Sequence, residues 1–197
     1  MSDKKKYSFK CLEQKCTTRS CHIRPYVNVT IGDISRWTTQ GHLQNILNGV
    51  ALSLPDNEKD TMRLETRRKP LEKDDQQTAC FFYHEDSNGC LIRYSRPISC
   101  RTYPLEFNGE KFYVSDKNCP GVGEDEVTKE ALREAKELAE QEFEERVETV
   151  SALPGLYSII FGQMLQQSAE AMQNLSEEDR KKLDEIMSKD KQEESDE

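Results

Sequence analysis

Seven cysteines are the residues of this chain best suited to chemistry. They form two groups along the sequence: Cys11, Cys16 and Cys21, then Cys80, Cys90, Cys100 and Cys119. The first residues are charged rather than apolar, unlike a secretion signal, so we expect a reducing, cytosolic compartment. Cysteines there hold metal or react more often than they form disulfides, and their odd number argues against a complete disulfide framework. The sequence therefore predicts a metal site.

The spacing of the cysteines favours an iron–sulfur cluster, with zinc as the alternative. Structural zinc sites usually leave two to four residues between paired ligands. The gaps are four residues in the first group and nine between Cys80, Cys90 and Cys100. Iron–sulfur clusters accept cysteines of varied separation. Buried, inert thiols are a third interpretation, although seven are many for a chain that is 35% hydrophobic.

Three further side chains are candidates for this site. His22 adjoins Cys21 and could be an eighth ligand. Arg96 and Arg101 flank Cys100, where fixed cations would lower the pKa of a thiol and offset the charge of a cluster. The alternative is that these arginines pair with nearby acids.

Local signals predict the elements that position the cysteines. Thr30 and Asp33 have the spacing of a capping box for a helix over about Gly32–Thr38. Residues 53–79 are polar and indicate a loop or insertion, in which Leu64 could add a strand and the basic run 67–69 faces solvent. Asn108-Gly109 between apolar runs predicts a β-hairpin, which would bring Cys100 and Cys119 together.

The chain after Gly123 has a helical pattern. An apolar stripe predicts a helix over 124–150, Pro154-Gly155 predicts a break, and further helices follow over 156–173 and from Ser176. We therefore expect an α-rich α+β protein: a small, irregular cysteine-rich metal domain with a β-hairpin (1–123), a helical C-terminal extension (124–189) and a disordered tail (190–197).

Charge narrows the class of partner. The net charge is -9 and the sequence pI is about 5.1, which disfavours nucleic acid and anionic membranes. No stretch approaches the roughly 20 apolar residues of a membrane-spanning helix. We expect a protein partner that binds the acidic helical C-terminal part.

One string of residues resembles a known family. Cys90-Leu91-Ile92, the run Arg96-Pro97-Ile98-Ser99-Cys100-Arg101-Thr102-Tyr103-Pro104 and Cys119-Pro120-Gly121 are similar to the YkgJ-type cysteine-cluster family, described as a zinc- or iron-chelating domain. Cys80-Phe81-Phe82 and Val29–Arg36 resemble it too, so the likeness spans about residues 11–123.

The resemblance implies ligand positions and a function. It makes Cys80, Cys90, Cys100 and Cys119 metal ligands, whereas the first group is wider than is usual in the family and has His22 in place of a second adjacent cysteine. We expect a cytosolic metal-binding protein with an iron–sulfur cluster, acting in assembly, electron transfer or partner binding. The alternatives are a zinc-stabilised interaction module and a cluster-dependent enzyme related to flagellin lysine methylases, which belong to the same family.

Overall fold

The computed structural model describes residues 8–12, 15–16, 20–179 and 181–182. Its short strands and helices confirm the expected α-rich α+β class. The strands are β1 (Ser8–Phe9), β2 (Asn28–Val29), β3 (Val50–Ser53), β4 (Arg63–Thr66), β5 (Arg68–Pro70), β6 (Thr78–Cys80), β7 (Tyr83–His84), β8 (Gly89–Cys90), β9 (Leu105–Phe107), β10 (Phe112–Val114) and β11 (Val122–Glu126). The helices are α1 (Ser20–Ile23), α2 (Ile31–Thr39), α3 (Leu43–Leu47), α4 (Ile98–Thr102) and α5 (Lys129–Gln173), with a 3-10 helix over Arg93–Ser95.

The strands of the described residues form five small antiparallel sheets. The largest has the order β2-β4-β3, with Leu64 of β4 opposite both Val29 and Leu52. The predicted strand around Leu64 is therefore confirmed, and β5 and β6 add order to the stretch over 53–79 that the sequence indicated as loop. Strand β5 is Arg68-Lys69-Pro70, so it lacks the apolar residues that identify a strand.

Helix α2 begins at the predicted capping box. Thr30 Oγ1 accepts a hydrogen bond from the Asp33 N–H at 2.9 Å, and the Asp33 carboxylate accepts one from the Thr30 N–H at 3.1 Å. The helix buries Asp33 and Trp37. A paired first turn of this kind fixes where the helix starts, which is why the prediction was accurate.

Trp37 lies at the centre of a small core. It packs with Val29, Ile46, Cys80 and Phe82, all at most 6% exposed. Cys80, from the second cysteine group, is thus a core residue, so the core lies directly beside the candidate metal site.

The predicted hairpin around Asn108-Gly109 is confirmed. Strands β9 and β10 pair with Phe107 opposite Phe112, and Asn108 Oδ1 accepts from the Lys111 N–H at 2.9 Å. Gly109 has φ of 92°, a left-handed conformation that glycine adopts at little cost.

The C-terminal helices differ from the prediction. Residues 122–126 form β11 rather than a helix, and α5 begins at Lys129 and continues through Pro154 to Gln173. The predicted break at Pro154-Gly155 was wrong: a proline removes one helical hydrogen bond, and the helix-favouring residues on both sides sustain the helix across the gap.

The chain divides into two compact units, Met1–Leu153 and Pro154–Glu197. Within the first unit, α5 contacts the start of α2, since Thr30 Oγ1 donates to Glu145 Oε2 at 2.6 Å and the Ile31 N–H donates to Thr149 Oγ1 at 2.9 Å. The boundary between these two compact units therefore lies within α5, and the domain division at Gly123 stays a prediction.

In the second unit, the predicted cap at Ser176 is present. Its hydroxyl accepts from the Asp179 N–H at 3.1 Å, and residues 177–179 are helical. The predicted tail over 190–197 lies outside the described residues. No helix in the described part of the chain has an apolar stretch of membrane-spanning length.

Candidate metal centre

All seven cysteines line one cavity with a volume of about 240 Å³. The rest of its lining is largely apolar, including Phe9, Val27, Phe82 and Ile92. The two groups that are separate in the sequence therefore meet in the fold. Four cysteines lie on α1, β6, β8 and α4, and Cys11 and Cys119 lie beside the β1–β11 pair.

Arg68 fixes Cys21 beside Cys80. Its guanidinium donates to the carbonyl oxygens of Cys21 at 3.0 Å, Arg24 at 2.7 Å and His22 at 3.2 Å. Because Arg68 lies opposite Cys80 in the β5–β6 pair, these bonds hold the end of α1 against β6. The prediction that the basic run over 67–69 is a solvated face was wrong for Arg68, which is half-buried.

Cys80 and Cys90 lie on short strands of two different sheets, β6 and β8. Cys80 is buried, with its Sγ 3.5 Å from Thr66 Oγ1. Cys90 lies opposite Tyr83 in the β7–β8 pair, and the Leu91 N–H donates to the Phe82 carbonyl at 2.9 Å. This pairing turns the chain back, so that both thiols reach the same cavity.

The loop before Cys100 is held by the buried face of α2. Asp33 Oδ1 accepts from the Ile98 N–H at 2.9 Å, and Trp37 Nε1 donates to the Ser95 carbonyl at 2.6 Å. These bonds are buried, so they fix the backbone that leads into α4 and its cysteine.

Two further bonds complete this support. The Arg36 guanidinium donates to the Arg96 carbonyl at 2.7 Å, and Ser99 Oγ donates to the Asn28 carbonyl at 2.7 Å. The same guanidinium bonds the Asp33 carboxylate at 2.7 Å. The loop carrying Cys100 is thus tied to α2 and to β2 at once.

The pairing of β1 with β11 places Cys11 near Cys119. Phe9 lies opposite Val122, and the Lys10 N–H donates to the Gly121 carbonyl at 2.9 Å. A Cβ at Gly121 would overlap the Lys10 carbonyl oxygen, so this close approach of two backbones requires glycine. Cys16 reaches the same part of the cavity.

The pKa values of the thiols reflect burial and the neighbouring charges. Burial is the main reason that the pKa of Cys100 is raised; Arg24 opposes it, and Cys21, Cys80 and Cys90 add to it. Burial also raises the pKa of Cys90, with Cys80 adding to it and Arg96 opposing it. These thiols are therefore protonated without a metal, and a bound metal would displace their protons.

Cys119 has different neighbours. Its pKa is raised first by burial and then by Cys16, Asp116 and Cys11, while the Gly121 N–H opposes the shift. The electrostatic neighbours thus separate the cysteines into a set of four and a set of three.

Of the other three predicted site residues, one lines the cavity and two do not. Arg96 lines it, whereas Arg101 is exposed and is not part of the lining among the described residues. The His22 ring packs edge-on against Tyr83, with 4.5 Å between the ring centroids, and likewise lies outside that lining.

Arg24 is a site residue that sequence reasoning missed. Its guanidinium donates to the Ser99 carbonyl at 3.0 Å, lies 5.5 Å from the Tyr103 ring centroid and opposes the raised pKa of Cys100. Its nearness to Cys21 in the sequence was the available signal, of the same kind that identified Arg96.

The donor set fits a soft metal, and the cavity fits a group larger than one ion. Thiolates prefer zinc, copper(I) and iron–sulfur clusters, and a cavity needs only about 10–15 Å³ to admit one water molecule. In the described residues, no three His, Cys, Asp or Glu side chains are close enough together to hold a metal ion as they are placed. Coordination therefore requires the cysteine side chains to turn towards a common point.

Comparisons with protein-family models, curated proteins and solved structures find no match to this chain.

Proposed function

We propose that this chain is a cytosolic metal-binding protein whose cysteines hold an iron–sulfur cluster and that it acts in cluster assembly, electron transfer or partner binding. The observation that carries the proposal is the single cavity lined by all seven cysteines. Chance burial of inert thiols would scatter them through the core, and it gives no reason for thiols so distant in the sequence to share one cavity.

The size of the cavity supports a cluster. A four-thiolate zinc ion is contacted directly by its ligands and needs no open volume around it. The volume of about 240 Å³ leaves room for the inorganic sulfide and several iron atoms of a cluster.

The surroundings of the thiols suit a charged group. A bound cluster would supply one-electron chemistry. Arg24, Arg93 and Arg96 oppose the raised pKa values of Cys100 and Cys90, so their positive charges would offset those of ligating thiolates. The apolar side chains of the lining, among them Phe9, Val27 and Phe82, would lower the dielectric around a bound cluster.

Metal and sulfide analysis tests this proposal. Full-length protein purified without oxygen should be brown and contain iron and acid-labile sulfide in equal amounts. Cys100→Ser should lose both, while Arg101→Gln, an exposed change on the same helix, should keep them. Protein that binds no metal, or that holds zinc without sulfide, contradicts the cluster.

Zinc is the second candidate, and the set Cys21, Cys80, Cys90 and Cys100 favours it. Four thiols match the closed, all-cysteine shell of structural zinc sites. The chain would then be a zinc-stabilised interaction module that binds a protein through the helical C-terminal part. Exposed apolar residues support such a contact, since Ile159, Met164 and Leu165 of α5 are each more than half exposed.

This alternative is tested with the same preparation. Zinc at one ion per chain without sulfide, and unfolding when a chelator removes it, would establish the module. Ile159→Ser with Met164→Ser should then weaken partner binding without changing the zinc content.

A further inference from the structure

We propose that the seven cysteines form two metal-binding sets: a closed set of Cys21, Cys80, Cys90 and Cys100, and an open set of Cys11, Cys16 and Cys119 that takes an exchangeable soft metal ion. The inference rests on the proposed metal-binding function and deepens it. The closed set would hold the resident group, and the open set would bind an ion that enters or leaves.

The backbone separates the two sets. Members of the closed set lie on α1, β6, β8 and α4. Arg68 bonds the end of α1, α2 bonds the loop before α4, and the Leu91–Phe82 backbone bond holds the chain at β8. Cys11 and Cys119 follow and precede the β1–β11 pair, joined by the Lys10–Gly121 bond. The order along the chain does not predict this division, because Cys21 leaves the first group and Cys119 leaves the second.

The two sets differ in burial at one cysteine each, since the other five cysteines are all partly buried. Cys80 of the closed set is 6% exposed, whereas Cys11 of the open set is exposed. An incoming ion or a donor thiol can therefore reach the open set through Cys11. Four thiols, by contrast, complete a coordination shell that leaves no position for exchange.

The local charges differ as well. Arginines neighbour the closed set, where four thiolates need positive charge nearby. Asp116 neighbours Cys119 instead. Both of its carboxylate oxygens already accept hydrogen bonds, one from the Tyr103 hydroxyl and one from the Asn118 N–H. Asp116 therefore supplies negative charge that favours a cation beside Cys119.

Three thiolates with one open position suit a soft ion such as Zn²⁺ or Cu⁺. Binding Zn²⁺ at three thiols forms three Zn–S bonds and releases three protons to solvent, so no oxidant or reductant is needed. Exchange would proceed by attack of a donor thiolate at the open position.

Zinc titration of the anaerobically purified full-length protein tests the division. The probe is Zn²⁺, counted by native mass spectrometry while iron and sulfide are measured in parallel. We expect one added zinc per chain that a chelator removes while the resident group stays. Cys11→Ser and Cys119→Ser should weaken this zinc binding by at least about tenfold and leave the resident group unchanged.

A control variant and the contrary results separate specific zinc binding at the open set from other outcomes. Asp125→Asn, on β11 and exposed, should leave the zinc count unchanged, which excludes Asp125 as the site of the added zinc. Because Cys11 is exposed, Cys11→Ser should fold. No added zinc in the wild type, or equal loss of the resident group in Cys11→Ser, would overturn the division. One exchangeable zinc without iron and sulfide supports the open set and defeats the cluster; binding of no metal defeats both.

Discussion

The segments that carry Cys100 and Cys11 to the cavity are held in different ways. Cys100 follows a loop whose backbone is bonded to three side chains of α2, Asp33, Arg36 and Trp37. Cys11 follows the two-residue strand β1, which pairs with β11 across an irregular register. The first support is buried in the core and the second lies at the surface. In the proposed division, the buried support would preorganise the resident site, whereas the lighter support of β1 would allow the bound ion to exchange.

The largest effect on this comparison should come from Trp37→Ala. It removes the fully buried ring at the centre of the core and the bond to the Ser95 carbonyl, so we expect a loss of about 3–5 kcal/mol in the free energy of unfolding. Circular dichroism in a urea titration measures this loss. Tryptophan fluorescence cannot be used, because Trp37 is the chain's one tryptophan. Trp37→Phe keeps most of the volume and should cost much less; an equal loss would contradict a packing role.

Asp33→Ala should follow, with a loss of about 3 kcal/mol. It leaves the Thr30 and Ile98 N–H groups without their buried acceptor. The loop before Cys100 should loosen, so the resident metal should be lost faster to a chelator, which the visible spectrum follows. Asp60→Ala, a change at a partly exposed acid also paired with an arginine, is the control. A resident group equally stable in both variants would show that α2 does not preorganise the site.

The pH dependence of Asp33→Asn sharpens the same point. Burial is the main cause that raises the pKa of Asp33 above its ordinary 3.8, so the folded protein binds this proton more tightly than the unfolded chain. The stability from this proton is fully present below pH 3.8 and is lost as the pH rises through the folded-state pKa. The free energy of unfolding of the wild type should therefore exceed that of the variant most at low pH, and this difference should narrow as the pH rises. Parallel urea titrations across that range measure it, and a constant difference would contradict a raised pKa.

Part of the support for the cysteines is predictable from the sequence, and part depends on contacts between residues that are far apart in the sequence. Thr30 and Asp33 are three residues apart, so their capping box was predictable, as was the Asn108-Gly109 hairpin. The second role of Asp33, accepting from Ile98, depends on a contact between residues distant in the sequence. The same holds for Arg68 at α1 and for β1 with β11. The sequence could single out the cysteines as candidate ligands, but it could not suggest their proposed division, because that rests on long-range bonds rather than on spacing.

Gly121→Ala tests the lighter support. Its Cβ would overlap the Lys10 carbonyl oxygen, so β1 must shift away from β11 at a cost of about 1–3 kcal/mol. Cys11 should then lie further from Cys119, and added zinc should bind more weakly while the resident group remains, by the same titration and iron analysis. Gly155→Ala is the control: nothing lies near its Cβ, and alanine in a helix should slightly stabilise the protein. Loss of the resident group in Gly121→Ala would show that the β1–β11 pairing also supports the closed set.

The smallest effect should come from Lys10→Ala, on the same strand. Lys10 Nζ lies 2.6 Å from Asp125 Oδ2, but both side chains are more than half exposed. Water and salt screen such a pair, so stability and added-zinc affinity should stay within experimental error of the wild type. The backbone N–H of Lys10, which bonds Gly121, is unchanged by the substitution. A marked loss of zinc affinity in low salt that disappears in high salt would mean that this ion pair, rather than the backbone pairing, positions Cys11.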